Sequence, residues 1–376
     1  MDCSLTFESL KLSNEIMADV RRAGFEAPTP IQAQAIPLAL AGSDLIGCAQ
    51  TGTGKTAAFA IPIIERLAGG AGLRALVLAP TRELALQIRE CFDALGAGRH
   101  VRAAAVIGGE AMGPQLEAFR RRPDVLVATP GRLLDHVDRR SLSLGSIRIL
   151  VLDEADRMLD MGFAPQIERI LKHVPLDRQT LCFSATMPPE MERLVRRHLV
   201  QPVRVQIGPA ARPVGKVSQV LYPLHRDEKT PLLLSLLRGE QGKVLIFTRT
   251  KHRADRLARA VGAAGHRVAR LHANRSQSER RQALDGFRAG SYQVLVATDI
   301  AARGIDVANI AHVINYDLPS TPEDYIHRIG RTARAEATGV ASSFAAPEEG
   351  DQLRAIERHL GRPLRRERGQ PRSNRG

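Results

Sequence analysis

Tryptophan is absent from this sequence, and aromatic residues make up only 4% of its 376 positions. Extended platforms of aromatic rings that stack on nucleic-acid bases are therefore not expected. The four cysteines form no C-x-x-C pair and are too few to stabilise a chain of this length by disulfide bonds. A reducing cytoplasm therefore fits best. No stretch approaches about eighteen consecutive apolar residues, and the start of the chain carries Asp2 and Glu8 instead of a basic region followed by an apolar one. We expect neither membrane insertion nor export.

Positive charge is present in excess. The net charge is +14, which indicates a polyanionic partner. Only seven of the 54 basic residues are lysines, so part of the arginine excess can reflect genomic base composition. Charge and low aromatic content together predict nucleic acid held by its backbone.

At this length, and with 44% hydrophobic residues, the chain can form two domains with cores of their own.

A glycine-rich segment lies between a strand-like run, Asp44–Cys48, and a helix-like run, Thr56–Leu67. Its glycines allow backbone N–H groups to converge on phosphate oxygens, and the helix start adds its positive dipole end. Lys55 would reach the β and γ phosphates of a nucleotide, and the Thr56 hydroxyl would reach Mg²⁺. Because Ala49 replaces the first glycine of the usual pattern, an ordinary glycine-rich turn stays an alternative for this segment alone. The predicted phosphate loop comprises Ala49, Gln50, Thr51, Gly52, Thr53, Gly54, Lys55 and Thr56.

An acidic element follows a continuous apolar run, Leu150–Leu152, which is typical of a strand buried on both faces. Asp153 and Glu154 would then lie at the carboxyl end of the strand, where open α/β sheets bind ligands. Because adjacent strand residues point to opposite faces, Asp153 would hold Mg²⁺ through water and Glu154 would polarise the attacking water. A solvated acidic turn is the alternative, but the pairing with the phosphate loop favours a nucleoside-triphosphate site.

Strand-like runs alternate with amphipathic stretches along the chain, which predicts a parallel α/β sheet. The alternation lapses at a proline- and glycine-rich segment, 208–216, and then restarts. We therefore predict an N-terminal domain over 1–207, a linker over 208–216, a C-terminal domain over 217–360 and a basic, disordered tail over 361–376. Ser276–Glu279 is a capping box that opens one helix of the second domain, and Thr321–Glu323 opens another with a cap and an N1 proline. The predicted strands are 74–78, 101–107, 125–128, 147–152 and 180–183, then 243–248, 268–271, 293–298 and 312–316.

The segment Gly24–Gln32 precedes the phosphate loop and reads Gly-Phe-Glu-Ala-Pro-Thr-Pro-Ile-Gln. With the phosphate loop and the Asp-Glu-Ala-Asp tetrad, it resembles the DEAD-box family of ATP-dependent RNA helicases over about residues 5–345. Several motif sequences, such as His-Ala-Asn-Arg-Ser-Gln at His272–Gln277, are similar to those of the bacterial RhlE-like subgroup. The resemblance implies two tandem RecA-like parallel-sheet domains, with ATP and Mg²⁺ in the cleft between them and RNA running across both.

The resemblance also assigns roles in ATP binding and coupling. Within an adenine-reading motif at about residues 5–33, Gln32 would bind the adenine edge and Phe25 would stack on the ring. A glutamine at a helix start in solvent is the alternative for Gln32. Asp306 would also contact the nucleotide. The residues that would couple hydrolysis to strand separation are Asp156, Ser184, Thr186, His327 and Arg328.

For RNA, the resemblance points to loops that also read as ordinary turns at helix starts. This reading suits binding, because helix N-termini and glycine-backed N–H groups bind phosphates. A solvated helix face is a serious alternative for Arg280. In the first domain the RNA-contacting residues would be Pro80, Thr81, Arg82, Gly108, Gly109, Thr129, Pro130, Gly131 and Arg132. In the second domain they would be Thr248, Arg249, Gln277, Arg280, Thr298, Asp299, Arg303 and Gly304.

Arginines recur every third residue in the segment 327–334. If this segment is helical, Arg328, Arg331 and Arg334 share one face, at ~100° per residue. The resemblance makes Arg331 and Arg334 arginine fingers on the transferring phosphoryl group, and an arginine-rich solvated helix is the alternative. Ala333 stands where the family usually has glycine, and on a helix its methyl group would point away from the phosphate.

Together these features predict an RNA-stimulated ATPase that separates short RNA duplexes locally and remodels RNA–protein complexes. The rivals are an RNA clamp that binds ATP without hydrolysing it, and a DNA-directed helicase. Asp153 and Glu154 argue against the clamp, and the adenine motif argues against the DNA helicase. Ribosome assembly, RNA turnover and cold adaptation all stay open as pathways, and a monomer is the default state.

Overall fold

The computed structural model describes residues 6–49, 52–67, 72–207, 217–302, 307, 310–332 and 339–367. The chain divides into two compact units, Met1–Pro209 and Ala210–Gly376. The predicted linker, 208–216, falls outside the described residues.

The N-terminal unit is built on one parallel, seven-stranded sheet. Its strands are β1 Leu45–Cys48, β2 Ala75–Leu78, β3 Ala103–Val106, β4 Val125–Ala128, β5 Ile149–Leu152, β6 Gln179–Ser184 and β7 Val203–Gln206. Its helices are α1 Asn14–Arg22, α2 Pro30–Leu40, α3 Lys55–Leu67, α4 Arg82–Leu95, α5 Met112–Arg120, α6 Pro130–Asp138, α7 Ala155–Asp160, α8 Ala164–Leu171 and α9 Pro189–His198. The strand order is β3-β4-β2-β5-β6-β1-β7.

Both faces of this sheet are covered by apolar side chains. In β5, Ile149 and Val151 belong to one core cluster, and Leu150 and Leu152 belong to the other. The alternation follows from the two-residue period of a strand. The prediction that Leu150–Leu152 belongs to a strand buried on both faces is therefore confirmed.

The C-terminal unit repeats this plan with a second parallel, seven-stranded sheet. Its strands are β8 Val217–Pro223, β9 Lys243–Thr248, β10 Val268–Leu271, β11 Val294–Thr298, β12 Ile310–Asn315, β13 Gly339–Ala345 and β14 Arg365–Arg366. Its helices are α10 Lys229–Arg238, α11 Lys251–Ala263, α12 Gln277–Arg288, α13 Asp299–Ala302, α14 Pro322–Ile329 and α15 Gly350–Leu360. The strand order is β10-β11-β9-β12-β13-β8-β14.

Local start signals in this unit act as predicted. The Ser276 hydroxyl accepts a hydrogen bond from Glu279 N at 3.3 Å, and the Glu279 carboxylate accepts from Ser276 N at 2.8 Å, which completes the capping box of α12. The Thr321 hydroxyl accepts from Asp324 N at 3.2 Å at the start of α14. Both caps satisfy backbone donors that the first turn of a helix leaves open.

The prediction that a disordered tail begins at residue 361 is wrong. Leu364 is buried, and Arg365–Arg366 pairs with β8 in parallel. Residues 361–367 are therefore part of the second unit, and 368–376 lie outside the described residues. Sequence composition missed this segment because one buried leucine and a short strand anchor a stretch that is otherwise arginine-rich.

Candidate functional site

The phosphate loop joins β1 to α3 at the carboxyl edge of the first sheet. Gly52 and Gly54 have φ angles of +84° and +90°, in the left-handed region that favours glycine. The Lys55 ammonium group is buried and donates to Ala49 O at 2.8 Å, so its charge lies over the loop. Backbone N–H groups, a helix N-terminus and a buried cation together form an anion site. Gln50 and Thr51 lie outside the described residues.

Gln32 lies fully buried in the first turn of α2 and contacts the phosphate loop. Its Oε1 accepts from Thr29 N at 2.9 Å, and its Nε2 donates to Gly54 O at 3.1 Å. A Cβ on Gly54 would lie 2.4 Å from Gln32 Nε2, so glycine is needed at 54 for the amide to fit. The solvent-exposed alternative for Gln32 is wrong. Phe25 packs edge-to-face on Phe7 with ring centroids 6.1 Å apart, and its stacking on adenine stays a prediction.

The acidic element departs from the predicted strand geometry. β5 ends at Leu152, and Glu154 has a φ angle of 49°, in the left-handed region. The prediction that alternate strand faces separate Asp153 from Glu154 is therefore wrong, because the chain turns into α7 at this point. The Glu154 carboxylate instead forms a buried ion pair with Arg157, one turn along.

Asp153 is a buried carboxylate whose Oδ1 accepts from Glu154 N at 3.0 Å. Burial raises the pKa of Asp153 to about 7, and the nearby positive charge of Lys55 offsets only part of that effect. A divalent cation beside this carboxylate would offset the cost of burying its charge. The oxygen donors Asp153 and Thr56 suit Mg²⁺, which prefers such ligands.

Asp156 joins the acidic element to the end of β6. Its Oδ2 accepts from Thr186 N and from Thr186 Oγ1, both at 2.8 Å, and from Ala185 N at 3.2 Å. Asp156 N donates to Ser184 Oγ at 3.3 Å. Burial raises the pKa of Asp156, but the hydrogen bonds from Thr186 and Ser184 and the positive charge of Lys55 together outweigh it, so the pKa lies below its usual value. The structure thus brings together three residues that the resemblance assigned to coupling.

The predicted RNA loops of the first unit follow β2, β3 and β4, the half of the sheet opposite the phosphate-loop strand. Arg82 covers the turn at Gly109, where a Cβ would lie 2.0 Å from its Nη1. Arg132 Nη1 donates to Glu110 O at 2.8 Å. The loops after β2 and β4 therefore both contact the loop after β3. Five further members lie at helix starts, namely Pro80 and Thr81 before α4, and Thr129, Pro130 and Gly131 at α6. Gly108 lies beside Gly109 in the turn after β3.

The second unit repeats this placement, with predicted RNA residues after β9, β10 and β11. Thr248 is buried and half of the Arg249 side chain is exposed. Thr298 ends β11, and Asp299 begins α13. Gln277 and Arg280 are both buried, and Arg280 Nη1 donates to His272 O at 3.3 Å. The solvated-face alternative for Arg280 is wrong. Arg303, Gly304 and Asp306 lie outside the described residues.

The arginine segment is not one helix. α14 ends at Ile329, and Thr332 forms a bridge with Ile310, which takes the chain out of helical geometry. Arg331 therefore lies in a turn, where it is buried and its Nε donates to His327 O at 3.2 Å. The prediction of one shared helical face is wrong, and its alternative of a solvated arginine helix fails for the same reason. Ala333 and Arg334 lie outside the described residues.

Arg328 binds within its own unit. Its Nε and Nη2 donate to the two Asp299 carboxylate oxygens at 2.6 and 2.7 Å, and its Nη1 donates to Asn315 Oδ1 at 3.0 Å. The guanidinium also lies over the Phe247 ring, 4.9 Å from its centroid. The bidentate pair joins α14 to the start of α13, and the stack places Arg328 against β9.

Sequence reasoning missed three residues that hold Arg249. Asp317 Oδ2 accepts from Arg249 N at 2.8 Å, Glu349 Oε1 accepts from Arg249 Nη2 at 3.1 Å, and Lys229 Nζ donates to Glu349 Oε2 at 2.7 Å. Asp317 carried a usable signal, because it follows an apolar strand in the same way as Asp153. Neither Lys229 nor Glu349 carried a signal in the sequence, since both lie far from any motif.

Two family models match this chain. The model for DEAD/DEAH box helicases matches residues 29–194, and the model for the helicase conserved C-terminal domain matches residues 228–336. The chain belongs to the DEAD-box family of ATP-dependent RNA helicases. The two matched ranges fall in the two compact units and include the phosphate loop, the acidic tetrad and the segment around Arg328.

Curated relatives extend over nearly the whole chain. The DEAD-box ATP-dependent RNA helicase CshA of Geobacillus kaustophilus is 46% identical over 363 residues, which cover 96% of this chain and 78% of the relative. CshA of Bacillus licheniformis is 44% identical over 365 residues, which cover 96% of this chain and 75% of the relative. The finer placement with RhlE-like members stays a prediction.

Solved DEAD-box structures share the fold. The Dbp5 structure from S. cerevisiae bound to RNA and ADP BeF3 matches with a TM-score of 0.88 at 32% identity, covering 97% of this chain and 96% of that one. The structure of Mss116p bound to ssRNA and AMP-PNP matches with a TM-score of 0.88 at 27% identity, covering 98% and 80%. The expected RecA-like fold of both units is confirmed, as are ATP with Mg²⁺ as the cofactor and RNA as the partner of this DEAD-box protein. Among the helices of the described ranges, none has the length and apolar composition to span a bilayer.

Proposed function

We propose that this DEAD-box helicase hydrolyses ATP when RNA binds and uses the cycle to separate short duplexes and remodel RNA–protein complexes. The placement of the motifs on the first sheet carries the proposal. The nucleotide elements follow β1, β5 and β6, and the predicted RNA loops follow β2, β3 and β4, so one sheet edge holds both. The adjacent strands β2 and β5 connect the two halves, with Leu78 paired to Leu152.

Within this proposal each predicted residue of the ATP site has a role. Lys55 neutralises the β and γ phosphates, and Thr56 with Asp153 holds Mg²⁺, which when bound stabilises negative charge on the phosphates. Glu154 orients and activates the attacking water after leaving its ion pair with Arg157. Asp156 transmits the state of the acidic element to Ser184 and Thr186 through the hydrogen bonds described above. Arg331 and Arg334 stabilise charge on the transferring phosphoryl group, while His327 and Arg328 support the coupling.

RNA should be preferred over DNA, and binding should depend on salt more than on sequence. The predicted contacts are arginines and helix N-termini, which bind backbone phosphates, so affinity should fall steeply as salt rises. RNA specificity would come from the 2′-hydroxyl. We expect single-stranded RNA of varied sequence to stimulate ATPase activity several-fold more than DNA of matched sequence, measured by phosphate release. Equal stimulation by DNA would favour the DNA-directed rival, and ATP binding without any turnover would favour the clamp.

The Gln32→Ala variant should weaken the preference for ATP over GTP. The amide can donate to and accept from adenine, and losing those hydrogen bonds costs on the order of 1 kcal/mol or more. Because Gln32 also contacts Gly54 O, affinity for both nucleotides should fall, and affinity for ATP should fall further. Binding of labelled ATP and GTP would measure both effects. The matched control is Gln352→Ala in α15 of the other unit, which should leave the ratio unchanged. An unchanged ratio in Gln32→Ala would make Gln32 purely structural.

We further propose that the protein works in the cytoplasm. Three of its cysteines, Cys48, Cys91 and Cys182, carry free thiols, and burial raises the pKa of Cys91 to about 12. Unpaired, unreactive thiols suit a reducing compartment. Cell fractionation with an antibody to the chain would test this, and recovery outside the cytoplasm would contradict it.

A further inference from the structure

A cavity of about 500 Å³ opens in the C-terminal unit. It lies among the first turns of α10 and α11, the residues that follow β12, and Glu349. Of the residues assigned above to ATP or RNA, Arg249 lines it. Its charged lining consists of Arg226, Lys229, Arg249, Arg253 and Arg256 against Asp227, Asp317 and Glu349. We call this cavity the arginine pocket.

The carboxylates at the bottom of the pocket are already saturated. Glu349 Oε2 accepts from Lys229 Nζ at 2.7 Å and from Ala346 N at 3.0 Å, while its Oε1 accepts from Arg249 Nη2 at 3.1 Å and from Leu318 N at 3.3 Å. Both oxygens of this buried group therefore have two partners each. A cationic ligand would have to displace one of them.

Each oxygen of Asp317 also has a partner. The residue is 1% exposed, its Oδ2 accepts from Arg249 N at 2.8 Å, and its Oδ1 accepts from Arg253 Nη1. These bonds hold Arg249 and Arg253 in place from beneath. A guanidinium that is already held loses less conformational freedom when it binds a ligand.

The arginines of the pocket have N–H donors that no carboxylate occupies. The Arg249 and Arg253 side chains are 50% and 43% exposed, and each has one nitrogen occupied by a carboxylate. A guanidinium offers five N–H donors in a fixed fork. Arg256, one turn beyond Arg253 on α11, makes no hydrogen bond or ion pair with the part of the chain that the structure describes. Converging forks of this kind match the oxygens of phosphate groups.

We propose that the arginine pocket binds phosphate groups of a compact polyanion through Arg253 and Arg256, beside the RNA-contacting Arg249. The phosphates could come from a free polyphosphate, or from the backbone of an RNA that extends past Arg249. The second source depends on the RNA-binding role proposed above, and the first does not. The two arms of the test separate them.

The first arm measures binding of inorganic tripolyphosphate by calorimetry to the full chain, with the phosphate loop first saturated by ADP and Mg²⁺. Arg256→Ala should bind tripolyphosphate at least tenfold more weakly than the unmodified protein, a change of about 1.4 kcal/mol. The matched control is Arg259→Ala, which removes an exposed arginine of the same helix outside the pocket and should bind normally. Equal thermal unfolding of the two variants would show that both fold. Binding of citrate as tightly as tripolyphosphate would overturn the phosphate assignment.

The second arm measures RNA affinity against salt concentration for the same variants. If RNA phosphate occupies the pocket, the slope of log affinity against log salt should fall by about 0.7 in Arg256→Ala and stay unchanged in Arg259→Ala. A weakened tripolyphosphate response with an unchanged RNA slope identifies a free polyphosphate. If neither quantity differs between Arg256→Ala and the control, the pocket binds no phosphate. The tripolyphosphate arm requires neither ATPase activity nor RNA, so its result is independent of the proposed function.

Discussion

Replacing Lys55 by alanine should abolish measurable ATP turnover and leave the fold intact. The Lys55 ammonium is the buried cation of the phosphate loop, and its hydrogen bond to Ala49 O, at 2.8 Å, lies within the loop. Removing a charge that faces the developing negative charge should lower RNA-stimulated phosphate release by at least about a hundredfold, or ~2.7 kcal/mol in barrier height. The loss of this one hydrogen bond of a charged group should cost only about 1.5–3 kcal/mol of unfolding free energy.

The matched control for this variant is Lys172→Ala. Lys172 is an exposed residue at the end of α8, so its loss should change neither turnover nor stability. A folded Lys55→Ala protein that keeps near-normal RNA-stimulated ATPase would refute the phosphate-loop assignment.

Replacing Glu154 by glutamine should stop hydrolysis without preventing ATP binding. The amide keeps the size of the side chain and can still accept a hydrogen bond from Arg157, so the buried contact that residue 154 makes before it acts on the water survives. It cannot act as a base, and loss of general-base catalysis typically costs about 10²–10⁴ in rate. Because hydrolysis would no longer release RNA, we expect a long-lived complex with ATP and RNA, measured as slow dissociation of labelled RNA.

Glu90→Gln is the matched control, since Glu90 is an exposed carboxylate on α4. It should release RNA at the normal rate and hydrolyse ATP normally. Rapid release of RNA from Glu154→Gln in the presence of ATP would contradict the proposed role of Glu154.

Short-range patterns were sufficient for the motifs and their supporting elements. Lys55, Asp153 and the helix caps at Ser276 and Thr321 could be predicted because each depends on residues within a few positions, namely glycines at positive φ, an apolar strand and a hydroxyl before a helix. Two of the strands that escaped prediction, β7 and β13, lack that signal. β7 buries only Val205, and β13 places Ser342 and Ser343 in the interior, where partners on β12 bind them.

The sequence by itself determined the order of motifs, the parallel α/β class, the nucleotide chemistry and the family. The tertiary structure alone decided which charged residues are buried and where helices stop. Arg328 needs Asp299, which lies 29 positions away, and α14 ends at Ile329 with Thr332 bridged to Ile310. The buried Glu349 carboxylate likewise needs Arg249, which lies 100 positions away. A buried charge is stable only with a partner, and partners so distant in sequence are brought into contact only by the folded sheet.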